Sequence, residues 1–294
     1  MTTVREQQVI IDAEVREREK KNLRDFLTRD GYIIPAGTGE EDAPCSIAAI
    51  NLVLDEEFTD TIREGMSVEI GYWIREVQDA MPEGLRNSMA WKMLLVETPW
   101  TDINHEVDIR RYQQNWLFTK VVDSVREIAT YCDLKDEWVK MMETQRIDDV
   151  VAVQDKITVL LEKWKWDAPS GKKRLVRNLN QITENIRLMY RRDFYEQYFP
   201  DAIPEHLELF DPAGVASLTA VMAQVYYLWD YYTGILDPGQ NTVETRLGLQ
   251  NWLYQRKFEV IRTLKDMIDI AEGRHDEYNQ EGQPREHSEV QASA

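Results

Sequence analysis

Cysteine and histidine are scarce in this sequence, and it contains no long apolar run. Its 294 residues include only Cys45 and Cys132, too few for the disulfide framework of a small secreted protein. The amino-terminal residues are rich in Glu, Arg and Lys and lack the apolar segment of a secretory signal. No segment approaches the roughly 18 consecutive apolar residues expected of a membrane-spanning helix. We therefore expect a cytoplasmic protein that does not contact a membrane.

Basic residues are also in deficit, with 35 Lys and Arg against 53 Asp and Glu and a net charge of −18. Binding to nucleic-acid phosphates or anionic lipid needs a basic surface, so we do not expect a general nucleic-acid binder. A protein mimic of DNA would also be acidic, but acidic surfaces commonly serve solubility, and we favour that interpretation. Because 43% of the residues are hydrophobic and 10% are aromatic, the chain can form a substantial core.

Alternating strand patterns are almost absent, whereas helical spacing of apolar residues recurs along the chain. The clearest instance contains Met66, Ile70, Trp73, Ile74 and Val77, which share one helical face. Similar spacing, with capping and breaking residues, predicts helices over approximately residues 1–30, 45–54, 66–81, 88–96, 102–132, 134–142, 147–166, 172–199, 212–234 and 242–272. The predicted fold class is all-α, a multi-helix bundle built either as one unit or as two packed helical subdomains.

Segments rich in Gly, Pro and acidic residues divide the chain, and residues 167–171 (Asp-Ala-Pro-Ser-Gly) form the clearest break. The predicted parts are an amphipathic helix at 1–30, a helical subdomain at 31–166, a second at 172–273, and a disordered tail at 274–294. Within the first helix, the residues between Val15 and Leu23 are all charged or polar. This pattern predicts that the middle of the helix projects into solvent or packs on a partner, and we favour a solvated helix face.

One part of the chain carries a dense set of distinctive segments. They are residues 45–52 (CSIAAINL), 66–67 (MS), 71–74 (GYWI), 77–83 (VQDAMPE), 86–88 (RNS) and 91–95 (WKMLL). Over residues 42–96, the chain resembles an uncharacterised family of bacterial, phage and metagenomic hypothetical proteins. Members of that family often have a proline and a second cysteine where this chain has Arg63 and Gly65. The resemblance implies a module and a bacterial or phage setting, but neither an activity nor chemistry that needs two neighbouring thiols.

Cys45 is the first candidate for chemistry, because it follows a proline near a predicted helix start. Backbone N–H groups and the helix dipole lower a thiol pKa at such a position. A thiolate nucleophile also needs a base, and His105 and His206 are the histidines outside the predicted tail region. A thiol-dependent hydrolase using Cys45 with His105 is therefore one alternative. A small cysteine that packs a helix is the commoner role, so we assign no catalytic residue with preference.

Metal and cofactor sites are not indicated. The chain lacks the paired Glu-x-x-His motifs of a di-iron bundle. Asp102 and His105 are spaced as two ligands on one helix face could be, but Asp102 is more simply a helix cap. The glycines of residues 37–39 are not followed by the Gly-Lys-Ser/Thr of a phosphate-binding loop. We predict no metal and no cofactor.

The charge inverts at residues 172–192, where seven basic residues stand against Glu184 alone. On a helix, Lys173, Arg177, Arg187 and Arg191 fall within a sector of roughly 80°, opposite an apolar stripe. Such a basic stripe is a candidate binding face for an acidic protein, a phosphorylated ligand or RNA. It could equally pair with acids on neighbouring helices, and with 53 acids in the chain we favour that outcome.

Aromatic residues cluster near the middle of the second half, at Tyr226, Tyr227, Trp229, Tyr231 and Tyr232. They would point to several sides of one helix, so some of them could meet another chain. We therefore predict a non-enzymatic helical interaction or scaffold protein that acts through protein contacts, including self-association. The alternatives are the thiol-dependent hydrolase and a regulator that binds an acidic, phosphorylated or nucleic-acid ligand through the basic stripe.

Overall fold

The computed structural model describes residues 4–101, 103–164, 170–190, 224–225, 227–229, 231–235 and 259–274. Within these ranges the regular secondary structure is helical apart from one short hairpin, which confirms the predicted all-α class. The hairpin pairs β1 (Gly39–Glu40) with β2 (Ala43–Pro44). The helices are α1 (Val4–Thr28), α2 (Ser46–Leu54), α3 (Val68–Ala80), α4 (Glu83–Arg86), α5 (Met89–Glu97), α6 (Glu106–Trp116), α7 (Arg126–Tyr131), α8 (Lys135–Thr144), α9 (Ile147–Lys163) and α10 (Ser170–Met189). The backbone is also helical at 224–225, 227–229, 231–235 and 259–271.

Some predicted features lie outside the described residues. They are Asp102, residues 167–169 of the predicted break, Arg191, Arg192, His206, Tyr226 and residues 275–294. In the described part, no helix is both long enough and apolar enough to cross a membrane.

Side chains cap the first turns of three helices in the first third of the chain, where sequence had predicted helix starts. Ser67 caps α3 and Ser88 caps α5, each accepting a hydrogen bond from the backbone N–H three residues on. Cys45 occupies the same position before α2. A capping side chain satisfies a backbone donor that the helix itself leaves unpaired. By fixing the residue at which each helix begins, these caps also fix how the helix is rotated about its own axis.

The single long helix predicted over residues 102–132 is wrong. Between α6 and α7 the chain forms a π-helical segment (Leu117–Val122) and a 3₁₀ turn (Asp123–Val125). On an uninterrupted α-helix, the buried residues of α6 and of α7 would lie roughly 150° apart around the axis. The wider π-helical turn reduces that angle, so both groups can face the core.

The charged middle of α1 is only partly solvated. Glu17 and Arg18 are exposed, as predicted. Lys20, however, forms an ion pair with Glu97 at the end of α5, and the Arg16 guanidinium lies 5.6 Å from the Trp100 ring. The solvated face predicted here is therefore wrong for Lys20 and Arg16, because tertiary contacts use their charges.

The hydrophobic core continues across the predicted break in the chain. It contains the fully buried rings of Trp73, Trp91 and Trp138 and includes buried residues from α1, α10 and the helical residues 259–271. The Tyr112 hydroxyl of α6 donates a hydrogen bond to Asp266 at 2.5 Å. The Trp229 indole likewise donates to the Ser124 carbonyl at 2.9 Å. These contacts join the parts that the sequence divides, and the division into two subdomains stays a prediction.

Candidate functional site

Arg86, in the distinctive module of residues 42–96, has a structural role. Its side chain is buried, with 7% of the residue exposed. The guanidinium donates hydrogen bonds to the carbonyls of Ile34 (2.9 Å), Gln78 (3.1 Å) and Met81 (2.8 Å). It therefore joins the loop before the module to the end of α3.

Other buried or partly buried polar residues of the module make the same kind of contact. Asn87 accepts a hydrogen bond from the Ile34 N–H at 2.7 Å. Gln78 accepts one from the Ser46 N–H at 3.0 Å, and Lys92 donates to the Tyr32 carbonyl at 3.1 Å. These side chains satisfy backbone groups that burial would otherwise leave unpaired. Several of the residues that make the module distinctive thus stabilise its fold.

Cys45 lies in the core and not in an open site. None of its surface is exposed, and its sulfur accepts a hydrogen bond from the Ala48 N–H at 3.5 Å. His105 lines a cleft elsewhere, where its Nδ1 is 3.7 Å from a carboxylate oxygen of Asp108. Cys45 is not among the described residues that line this cleft. The structure therefore does not bring the two predicted catalytic residues into one cleft.

Both thiols are expected to resist labelling in the folded protein. Cys132 is also fully buried, and burial raises its pKa to about 12. Iodoacetamide at about pH 8 should modify neither cysteine within the time that fully alkylates the guanidinium-unfolded chain, because it needs an accessible thiolate. Peptide mass spectrometry would identify each site. Rapid native labelling of Cys45 would contradict its purely structural role and revive the hydrolase alternative.

Among the described residues, no group of three or more His, Cys, Asp or Glu side chains could hold a metal ion. Asp102, the other member of the possible ligand pair with His105, lies outside the described residues.

The basic stripe of α10 is exposed where the structure describes it. We call Lys173, Arg177 and Arg187 the basic row. Arg177 and Arg187 are exposed and Lys173 is half-buried. The opposite face of α10 carries fully buried apolar residues, namely Leu175, Leu179, Ile182 and Ile186. The fourth predicted member, Arg191, lies outside the described residues.

The other described bases of α10 make contacts within the fold. Lys172 forms an ion pair with Asp133 at 2.8 Å and lies 5.1 Å from the Trp164 ring. Arg174 donates a hydrogen bond to the Tyr227 hydroxyl and lies 4.5 Å from the Tyr231 ring. Their charges thus help to hold α10 against its neighbours.

The basic row differs from these flanking residues, because Lys173, Arg177 and Arg187 make no ion pair with any described residue. Glu184 lies in the same sector of the helix, where it accepts a hydrogen bond from Asn180 at 2.7 Å. The described face therefore presents three cations and one carboxylate. Leu188, at the edge of the row, is 41% exposed and adds an apolar contact.

The cleft around His105 is a second candidate site, with a volume of ≈ 730 Å³. It is lined by Arg16 of α1, residues 63–65, residues 99–101, His105 and residues 271–272. Sequence reasoning singled out His105 alone. Residues 99–101 are close to His105 in sequence, but Arg16, residues 63–65 and residues 271–272 are distant from it, so no local motif could have predicted the cleft.

Comparisons of the chain with protein-family models, with curated proteins and with solved structures gave no match. The resemblance of residues 42–96 to a family of hypothetical proteins therefore stays a prediction. The basic row and the cleft around His105 are the two candidate binding surfaces of the described residues.

Proposed function

We propose that this chain is a non-enzymatic helical interaction protein that binds an acidic segment of a partner protein through the basic row of α10. The observation that supports this proposal is the contrast within one helix. Lys172 and Arg174 are engaged in the fold, whereas Arg177 and Arg187 are exposed and make no ion pair with a described residue. In a chain of net charge −18, exposed cations aligned on one face favour an acidic ligand.

A protein partner fits this surface better than a nucleic acid. At physiological ionic strength, charges are screened over about 8 Å, so the basic row can act locally despite the acidic remainder of the chain. A long polyanion would extend beyond the row towards the acidic remainder, which carries more charge than the row. Leu188 also provides an exposed apolar contact, which suits a partner that carries apolar residues beside its acids.

The length of the row defines the partner further. Arg177 and Arg187 are ten positions apart on α10, which corresponds to about 15 Å along the helix axis. Carboxylates separated by this distance occur on an acidic helix of about three turns or on an extended segment of about five residues. Arginine favours such pairs because its guanidinium can bind a carboxylate through two hydrogen bonds.

Charge reversal on the row tests the proposal. The probe is a fluorescent peptide of alternating Glu-rich and Leu-containing turns, titrated by anisotropy. The double variant Arg177→Glu with Arg187→Glu should bind it at least about tenfold more weakly, because attraction becomes repulsion. The control variant Lys120→Glu with Lys135→Glu makes the same charge change at two exposed positions outside α10, and its affinity should stay within about twofold of the wild type.

The same titration distinguishes this proposal from the alternative explanations of binding. Equal weakening by both double variants would mean that net charge alone governs binding, and absence of peptide binding would also contradict the proposal. A single-stranded oligonucleotide that binds more tightly than the peptide would favour the nucleic-acid regulator. Light scattering on the wild type and the row variant would show whether a second copy of this chain is the acidic partner.

A further inference from the structure

The cleft beside His105 brings charges of both signs around one indole ring, and we call it the Trp100 cleft. The Arg16 guanidinium is 5.6 Å and the Arg63 guanidinium 5.8 Å from the Trp100 ring. Glu64 and Glu272 line the same cleft. Among the described residues that line it, none belongs to α10, so this site is separate from the basic row.

Arg63 is held in place before any ligand arrives. Its Nε and Nη2 donate to the two carboxylate oxygens of Asp55 at 3.0 and 2.9 Å. A guanidinium bound through two hydrogen bonds keeps its plane fixed while its remaining N–H groups can serve another acceptor. Arg63 can therefore offer donors to a ligand without losing its orientation.

Arg16 and Glu272 face each other across the cleft more loosely. Their closest charged atoms are 3.9 Å apart, which is within ion-pair range but beyond hydrogen-bond distance. Glu272 also pairs with Arg274, which neighbours the cleft. A ligand group that hydrogen-bonds either side chain would replace a long contact with a shorter one.

The balance of charges indicates the class of ligand. A simple anion would meet the carboxylates of Glu64 and Glu272, and a simple cation would meet the two guanidiniums, so each would gain attraction and repulsion together. A ligand that carries both charges can place each one beside its opposite. The ≈ 730 Å³ volume lies within the range of about 300–1,000 Å³ typical of small-molecule sites.

We propose that the Trp100 cleft binds a small zwitterion, an amino acid or short peptide. Its carboxylate binds Arg16 and Arg63, its ammonium binds Glu64 and Glu272, and its body packs against Trp100. Nothing in this assignment depends on the basic row.

Calorimetry on the wild-type protein tests the ligand class. The probes are the twenty free amino acids, screened first by thermal shift, and then the N-acetyl and carboxamide derivatives of the tightest one. The free amino acid should bind at least about tenfold more tightly than either derivative, because each derivative lacks one charge. If no amino acid binds, or if the N-acetyl derivative binds as tightly as its parent, the proposal is overturned.

Variants test the location. Arg16→Met keeps an apolar stem beside Trp100 and removes the charge, and Glu272→Gln removes a carboxylate. Each should weaken binding of the same amino acid by about tenfold. Arg18→Met is the matched control, since Arg18 is exposed on α1 and does not line the cleft, and it should bind like the wild type. Unchanged affinity in both cleft variants would exclude this site.

Discussion

Replacing Arg86 with methionine is expected to lower the free energy of unfolding by about 3–5 kcal/mol. Methionine can fill much of the same space but donates no hydrogen bond. The carbonyls of Ile34, Gln78 and Met81 would each lose the donor that Arg86 supplies in a buried setting. Urea unfolding followed by circular dichroism measures the change.

A second arginine substitution provides the control. Arg75 on α3 is partly exposed, pairs with Glu76 at 3.2 Å and stacks over the Tyr72 ring. Arg75→Met should cost less than about 1 kcal/mol, because surface ion pairs contribute little. If Arg86→Met and Arg75→Met destabilise the protein equally, Arg86 does not join the module as described.

Replacing Gly39 with alanine is the second substitution with a large expected effect. The added Cβ would lie 2.3 Å from the Ala43 carbonyl oxygen and 2.7 Å from Pro35 Cγ, and Gly39 has a φ of +78°. The hairpin would have to open, which would disturb the hydrogen bond from the Cys45 N–H to the Thr38 carbonyl at the start of α2. We expect a loss of about 2–4 kcal/mol, from the left-handed backbone and the steric clash together.

A substitution at Gly37 separates the cost of the left-handed backbone from the cost of the steric clash. Gly37 has a similar φ of +72°, but an added Cβ would meet no atom within 4 Å. Gly37→Ala should therefore show only the backbone cost of about 1–2 kcal/mol. Thermal and urea unfolding of both variants compare them directly, and equal losses would show that the clash at Gly39 relaxes without cost.

The positions of helices could be predicted from the sequence more successfully than the places where a helix is interrupted. The start of α5 was predicted at Asn87 or Ser88, which are residue types that cap by local hydrogen bonds, and the start of α2 was predicted from Asp42 and Pro44 just before it. Both signals depend on a few neighbouring positions. The interruption between α6 and α7 could not be predicted in this way. Apolar spacing indicates which residues are buried, but it does not reveal where the core requires a wider helical turn.

The basic stripe shows a similar limit at the candidate site. Spacing alone placed Lys173, Arg177 and Arg187 on one helical face. It also placed Lys172 and Arg174 outside that face, but it could not show that they contact Asp133 and Tyr227, which are distant in sequence. The Trp100 cleft is even harder to predict from the sequence, because segments that are distant along the chain form it.

The most direct test of the proposed function is to locate the bound partner on the wild-type protein. The Glu-rich peptide would carry a photoreactive group at its centre, and mass spectrometry would identify the cross-linked residues. We predict that the cross-links fall within or beside Ser170–Met189 and disappear in the Arg177→Glu, Arg187→Glu variant. Cross-links that concentrate on α1 or elsewhere, and that persist in this variant, would contradict a binding function for the basic row.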